Sequence, residues 1–406
     1  MALDLNKIRA DFPALKRIIR GKPVVYLDSA CMSLKPVQVL EAMSRYYTEH
    51  PGCGGRSAHK FSTETSEAYH KARATIAHYL GAGKLEEIVF TRNTTEGINL
   101  VANCLDWKPG DVVITSDREH NSNLLPWLML AKKRGIKHVV VESNPDGTFS
   151  MPNLKAALGQ KAKLVSMVHS SNLDGYTLPA EQITKAAHDA GALVMLDAAQ
   201  SAPHKPIDVR KLGVDFLAIS GHKMLGPTGT GALYGKFGLL EKLEPFMVGG
   251  DTVSNTTYDS YTMLPPPEKF EAGLQNYAGA MGFGAAAEYL DKIGRQNIEK
   301  HELALNKLTT ELIADVPGLH ILGPQDPALR GGVISFTVDK INPHDIALML
   351  DQAANIMIRS GMHCVHSWFN AHGIAGSARA SLYLYNTEEE VRLFAEQLGR
   401  MVRTLI

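Results

Sequence analysis

"DFLAISGHKMLGPTGTGALYG", Asp215 to Gly235, holds an apolar run, a lysine just past its end, and a glycine-rich turn into a second apolar run. The runs "VDFLAIS" (214–220) and "GALYGK" (231–236) are short and apolar throughout, as strands covered on both faces are. Lys223 therefore stands at a strand terminus. Desolvation there lowers a lysine's pKa and leaves a neutral amine able to form a Schiff base. A lysine in a loop ordinarily faces water. Here Ser220 and His222 supply polar donors beside it, and the glycines let backbone approach a ligand closely.

Upstream the same texture repeats. Apolar runs at 86–90, 111–116, 137–143, 163–170 and 192–198 alternate with helical patterns at 94–105, near 122–134, at 151–158 and at 179–191. Seven such runs interleaved with helices indicate an α/β unit with a mostly parallel seven-stranded sheet covered on both faces. In open sheets of this kind ligands bind outside the carboxyl ends of the strands. Asp197 ends the run "ALVMLDA", where a carboxylate either caps a helix or holds a pyridinium nitrogen in its protonated form, the counterion pyridoxal phosphate needs. Gln200 is placed to donate to the ring's phenolic oxygen. Thr94, which is expected to cap the helix, and Thr95 make an anion cradle with the free N–H groups of its first turn. His120 and Asn172 follow two further strand ends. Each signal alone is compatible with ordinary caps and surface groups; their meeting at one edge is the argument.

Downstream, "LPPPEKFEAG" (264–273) reads as a loop crossing a boundary. A helical stretch over 277–315, strands at 331–338 and 354–361, and helices at 342–353 and 387–403 form a smaller α+β domain. The expected division is a large domain, 18–265, and a small one made of 1–17 with 266–406. Lys plus Arg and Asp plus Glu number 42 each, so no excess charge favours nucleic acid or an anionic membrane. No long uncharged apolar stretch or signal core appears, which points to a cytoplasmic protein without a membrane span.

Cys31, Cys53, Cys104 and Cys364 form no CxxC pair. In "RSGMHCVHSW" (359–368) Cys364 stands between His363 and His366. Three readings compete: a zinc site, which needs a fourth ligand that nothing close by provides; a core thiol, which the polar flanks disfavour; and a nucleophile, whose thiolate Arg359, Arg379 and the histidines would favour. The last is preferred, and no metal is expected.

The stretches "SGHKMLGPTGTGALYG", "LDAAQS", "RNTTEGINLVAN", "REHNSNLLPW" and "RSGMHC" together resemble the class V aminotransferase family of fold-type I pyridoxal-phosphate enzymes. Within it the chain is most similar to the SufS-type (group II) cysteine desulfurases, which also act on selenocysteine. The resemblance implies that Lys223 binds pyridoxal 5′-phosphate covalently, Asp197 pairs with its ring nitrogen, Gln200 bonds its phenolic oxygen and His120 stacks on it. Thr94, Thr95, Ser220 and His222 would hold the phosphate, and Asn172, Arg359 and Arg379 the substrate carboxylate. Cys364 would take sulfur from L-cysteine as a persulfide, leaving L-alanine. The resemblance further implies a homodimer, a SufE- or SufU-like acceptor protein and a place in iron–sulfur cluster assembly. Leu274 stands where the family usually has a threonine that reaches the neighbouring subunit's phosphate, and Gly55 where a histidine is common. The alternatives are an amino-acid lyase or epimerase on the same scaffold, and a non-catalytic scaffold.

Overall fold

The computed structural model describes residues 3–405. Every one of the seven apolar runs is a strand: β1 (Ile88–Thr91), β2 (Val112–Ser116), β3 (Lys137–Val141), β4 (Ala162–Val168), β5 (Leu193–Asp197), β6 (Phe216–Ser220) and β7 (Gly231–Gly235). They form one sheet of order β1-β7-β6-β5-β4-β2-β3. All pairings are parallel except those of β7, antiparallel to both β1 and β6. Successive side chains of a strand point to opposite faces. Accordingly Val113, Leu164, Met195 and Phe216 fill the core on one face, and Ile114, Val165, Leu196 and Leu217 that on the other.

Strand order reverses at β2: the chain runs outward to β3 and returns to β4 on the far side of β2. The crevice between the ends of β2 and β4 is thus a topological switch point. Glu119, just beyond β2, fastens it. Its carboxylate accepts from the Val168 N–H at 3.0 and 2.9 Å, from Asn123 Nδ2 at 2.7 Å, and from both the N–H and the hydroxyl of Ser116. Burial nonetheless raises its pKa to about 7.

Helices α1 (Val37–Glu49) and α2 (Lys60–Leu80) have no counterpart in the sequence reading. Helix α3 (Thr94–Cys104) is capped by Asn93, whose side chain accepts from the Glu96 N–H; Thr94, the expected cap, is its first residue. The stretch expected to be helical over 277–315 is two helices, α4 (Tyr277–Ile293) and α5 (Arg295–Ile313), separated at Gly294, whose φ of 88° is in the region that favours glycine.

A second, antiparallel sheet comprises β8 (Leu319–Ile321), β9 (Val333–Val338), β10 (Arg359–Gly361) and β11 (Ser377–Ser381), in the order β8-β9-β11-β10. The single strand expected at 354–361 is divided. Ile356–Met357 pairs in parallel with Val25–Tyr26, while β10 pairs with β11, so the chain changes partner at Ile358. Ile334, Phe336 and Ala378 pack here against Phe394 and Leu398 of the final helix. Residues 1–17 and α4, assigned to the small domain from sequence, have Ile8, Phe12, Phe283 and Leu290 in the core of the large sheet.

Because the folded pKa of Glu119 lies above its ordinary value, the folded chain binds the proton more tightly than the unfolded one. The stability this contributes is present below about pH 4.5 and is lost as pH rises through about 7. Denaturant unfolding of Glu119→Gln beside the parent chain is expected to show the parent losing about 3 kcal/mol relative to the variant over that window.

Candidate active site

Parallel strands bring the ends of β1, β2, β4, β5 and β6 to one edge, and one cavity of about 230 Å³ opens there. All twelve residues singled out from the sequence line it.

After β6 the chain turns sharply at Gly221–Lys223, where the Gly221 N–H donates to Thr230 O at 2.8 Å and a Cβ on Gly221 would run into the Thr230 hydroxyl. The segment 31–35 braces this turn from outside: Ser33 N–H and Lys35 Nζ both donate to the His222 carbonyl, each at 3.0 Å. Burial lowers the pKa of Lys35 to about 7. Lys223 itself has its pKa lowered, chiefly by burial, with Asp197 opposing and Arg379 adding to the effect; no hydrogen bond is among the causes. Burial also lowers His222, to about 4.

Asp197 closes β5 and accepts from the Ala199 N–H at 2.9 Å. Burial raises its pKa, against the pull of Lys223. Gln200 Nε2 donates to Ala30 O at 2.6 Å, and its buried Oε1 has no partner. Thr94 and Ser220 are buried and share hydroxyls at 2.8 Å, with the Thr94 N–H also on Ser220 Oγ at 2.9 Å. Thr95 is exposed and reaches Ser122 Oγ at 2.7 Å. His120 Nδ1 accepts from the Ser122 N–H at 3.1 Å, which leaves the proton of the neutral ring on Nε2. Burial, followed by the charge of Lys223, lowers the pKa of His120 to about 3.

The second sheet contributes its arginines from one register pair, Arg359 on β10 opposite Arg379 on β11. Arg379 is buried; its Nη1 donates to Asn172 O at 2.9 Å, its Nη2 lies 3.5 Å from Asp28 Oδ1, and its Nε has no partner. Arg359 Nη1 donates to Cys31 Sγ at 2.7 Å. Cys364 follows β10 on a loop whose His363 and Cys364 have φ of 49° and 60°, unusual for residues other than glycine. Asn172 Nδ2 holds this loop by the His363 carbonyl at 2.7 Å, and the Asn121 N–H holds it by the Cys364 carbonyl at 2.7 Å.

Two expectations change. His363 lends Cys364 no positive charge: burial, then Arg379 and Arg359, lower its pKa to about 2. Nor do the flanking histidines converge on the sulfur, since His363 Nε2 pairs with Ser377 Oγ at 2.8 Å and His366 Nδ1 with Asn121 Nδ2 at 2.9 Å. Sequence reasoning also missed Cys31 and Ser122, both in the cavity lining. Cys31 follows a two-residue strand, too short for any periodicity, and Ser122 lies in a single 3₁₀ turn. Leu274 is 69 % exposed and outside the cavity lining.

The aminotransferase class-V family model matches residues 25–394. The chain belongs to the class V aminotransferase family. Among relatives of this class V chain, a probable cysteine desulfurase of Synechocystis sp. is 42% identical over 402 residues, covering 98% of this chain and 95% of its own. The apo structure of a cysteine desulfurase from Thermococcus onnurineus NA1 superposes with a TM-score of 0.94 at 39% identity, over the whole of both chains. The cysteine desulfurase CsdA of Escherichia coli, in an S-sulfonic acid form, gives 0.92 at 34%, again over both chains in full.

In this class V site the imidazoles of His120 and His363 are expected to stay neutral across the range from about pH 5 to 8 in which a free imidazole titrates. Nitrogen NMR of the histidine-labelled chain, assigned by single replacements, checks this; a protonation midpoint for either ring near 6.5 contradicts it.

Proposed function

We propose that this chain is a pyridoxal 5′-phosphate-dependent cysteine desulfurase that moves the sulfur of L-cysteine onto Cys364 and releases L-alanine. The observation that carries the reading is that a thiol on a loop and a desolvated lysine line the same cavity as a buried carboxylate. The full-length relatives named cysteine desulfurase support it.

The lining fits the cofactor. Lys223 offers an amine whose pKa burial lowers, and Asp197 a buried carboxylate whose raised pKa a cationic ring nitrogen would reverse. Gln200 Nε2, which gives one N–H to Ala30 O, has a second N–H that would serve the ring's phenolic oxygen. Thr94, Thr95, Ser220 and His222 gather at the start of α3, where the helix dipole favours a phosphate. When bound, the pyridoxal ring serves as an electron sink, which makes the Cα proton of an amino acid removable.

The protein does the rest. Arg379 and Asn172, with Arg359, receive the substrate carboxylate, and the free Nε of Arg379 leaves a charged donor for it. Lys223, whose amine burial makes easier to deprotonate, takes the Cα proton and returns one later. His120, which would lie against the ring, holds its proton at Nε2 for transfer. The Cys364 sulfur then attacks the substrate sulfur: an S–S bond forms, the Cβ–S bond breaks, and its electron pair goes to Cβ, which is protonated. The balance is L-cysteine plus thiol giving L-alanine plus persulfide. A strained, partly exposed loop suits a thiol that must afterwards present sulfur to another protein.

The finer reading belongs to the same proposal: a SufS-type enzyme that also accepts L-selenocysteine, works as a homodimer, hands sulfur to a SufE- or SufU-like protein and feeds iron–sulfur cluster assembly. Its large unit binds the cofactor, and its smaller one carries the thiol loop. Among the described residues no helix is long and apolar enough to cross a membrane, in keeping with a cytoplasmic setting. Dimerisation is supported by apolar side chains left in water along 246–274: Val248 is 61 % exposed, Tyr261 69 % and Leu274 69 %.

Borohydride treatment of the cofactor-loaded chain is expected to fix pyridoxyl to the peptide containing Lys223. Cys364→Ala is expected to slow alanine release from cysteine by at least about 100-fold, ~2.7 kcal/mol of barrier; unchanged release would defeat the desulfurase reading. Sedimentation of a Val248→Asp, Tyr261→Asp variant is expected to show monomers where the parent shows dimers.

A further inference from the structure

Of the four thiols, two line the cavity, Cys364 and Cys31. Cys104 packs among apolar side chains, where burial pushes its pKa up to about 11. Cys53, in the loop before α2, is not in the cavity lining. We propose that Cys31 is a second sulfur-carrying thiol of this site, taking the outer sulfur of the Cys364 persulfide by exchange. The proposal rests on the desulfurase reading and adds a step to it.

Several observations point the same way. Cys31 is not packed away: it is partly exposed and faces the space that Cys364, Arg359 and Lys223 also line. Its Sγ accepts from Arg359 Nη1 at 2.7 Å, which turns the sulfur toward the arginine on the cavity wall. Arg379, only 2 % exposed, lines the same cavity with its Nε unpartnered, so the site is built to receive an anion there. The two thiols differ in mounting. Cys31 is tied into a tight turn by its N–H to Asp28 O at 3.1 Å, whereas Cys364, left-handed like His363 before it, sits on a loop. A fixed thiol and a loop-borne one in one cavity are the arrangement an exchange requires.

The step balances without a co-reactant. Cys31 sulfur bonds to the outer sulfur, the S–S bond of Cys364 breaks, and its electron pair stays on Cys364, which receives the proton leaving Cys31. No net oxidation occurs. Cys364 becomes free to attack a second substrate, so one chain stores two sulfurs.

The test uses cofactor-loaded protein given excess L-cysteine without reductant, quenched with an alkylating agent over a time course and read by peptide mass spectrometry, with cyanolysis counting sulfane sulfur per chain. The expected result is extra sulfur on the Cys364 peptide first and on the Cys31 peptide afterwards, a count rising from one to two per chain, and none on Cys31 in Cys364→Ser. Persistent loading of Cys364 alone overturns the relay while leaving the desulfurase reading intact. Loading of Cys31 in Cys364→Ser also overturns it, because sulfur would then arrive without Cys364. Sulfur on neither peptide, with no alanine formed, removes the desulfurase reading and the relay with it.

Discussion

Parallel pairing forces strands to finish at the same edge of a sheet, and the rest of this structure follows from that constraint. Five segments scattered between Thr91 and Lys223 meet only because β1, β2, β4, β5 and β6 run the same way. The antiparallel β7 does not break the rule. It starts at that edge, with Gly231 opposite Ser220 on one side and Thr91 on the other. A Cβ at Gly231 would lie 2.6 Å from Ile219 O and 2.7 Å from Asn93 Cα, so glycine is what lets the turn at Asn93 sit this close to the strand.

Charge inside the cavity is decided by desolvation rather than by pairing. Burial is the leading cause for Lys223 and Arg379, whose pKa values fall, and for Asp197 and Asp28, whose values rise; in each case the opposite charges pull back and do not win. The three imidazoles, His120, His222 and His363, are driven neutral by the same cause. A site left in that condition is under-compensated. A guest carrying a cation to Asp197 and anions to the arginines and the start of α3, as the proposed function has it, would relieve it. A pyridinium ring with a phosphate, joined to an amino acid with its carboxylate, distributes charge in that way.

What the sequence discloses depends on where the chain hides its polar groups. The strands were readable because both faces of the large sheet are apolar, leaving continuous runs. Helix α2 was not, because its buried side includes Ser62, Thr65 and Arg73, and Arg73 forms an interior ion pair with Glu271 at 2.7 Å. Helix α1 buries only Val39, too little for a stripe. Asn93 and Thr94 are both good caps; the choice fell to Asn93 because Ser220, remote in sequence, claims the Thr94 hydroxyl. The run 354–361 showed strand character but not its partners, and those differ on either side of Ile358. The cavity residues were legible as strand-end residues, Cys31 was not, and nothing in its flanking composition marked it.

Asn172 shows why the two sheets act as one site. Its amide nitrogen holds the thiol loop and its backbone carbonyl holds Arg379, so this single residue beyond β4 positions both the loop of Cys364 and the guanidinium of Arg379. The Asn121 N–H adds a second tether from the segment past β2, on the other side of the switch point. The loop is therefore pinned from both lips of the crevice through its backbone, and through the side chains of His363 and His366 as well. No hydrogen bond of the loop uses the Cys364 side chain, so attack and delivery of sulfur proceed without breaking the contacts that position it. Strain at His363 and Cys364 is held by those tethers and gives the loop a reason to move when either is released.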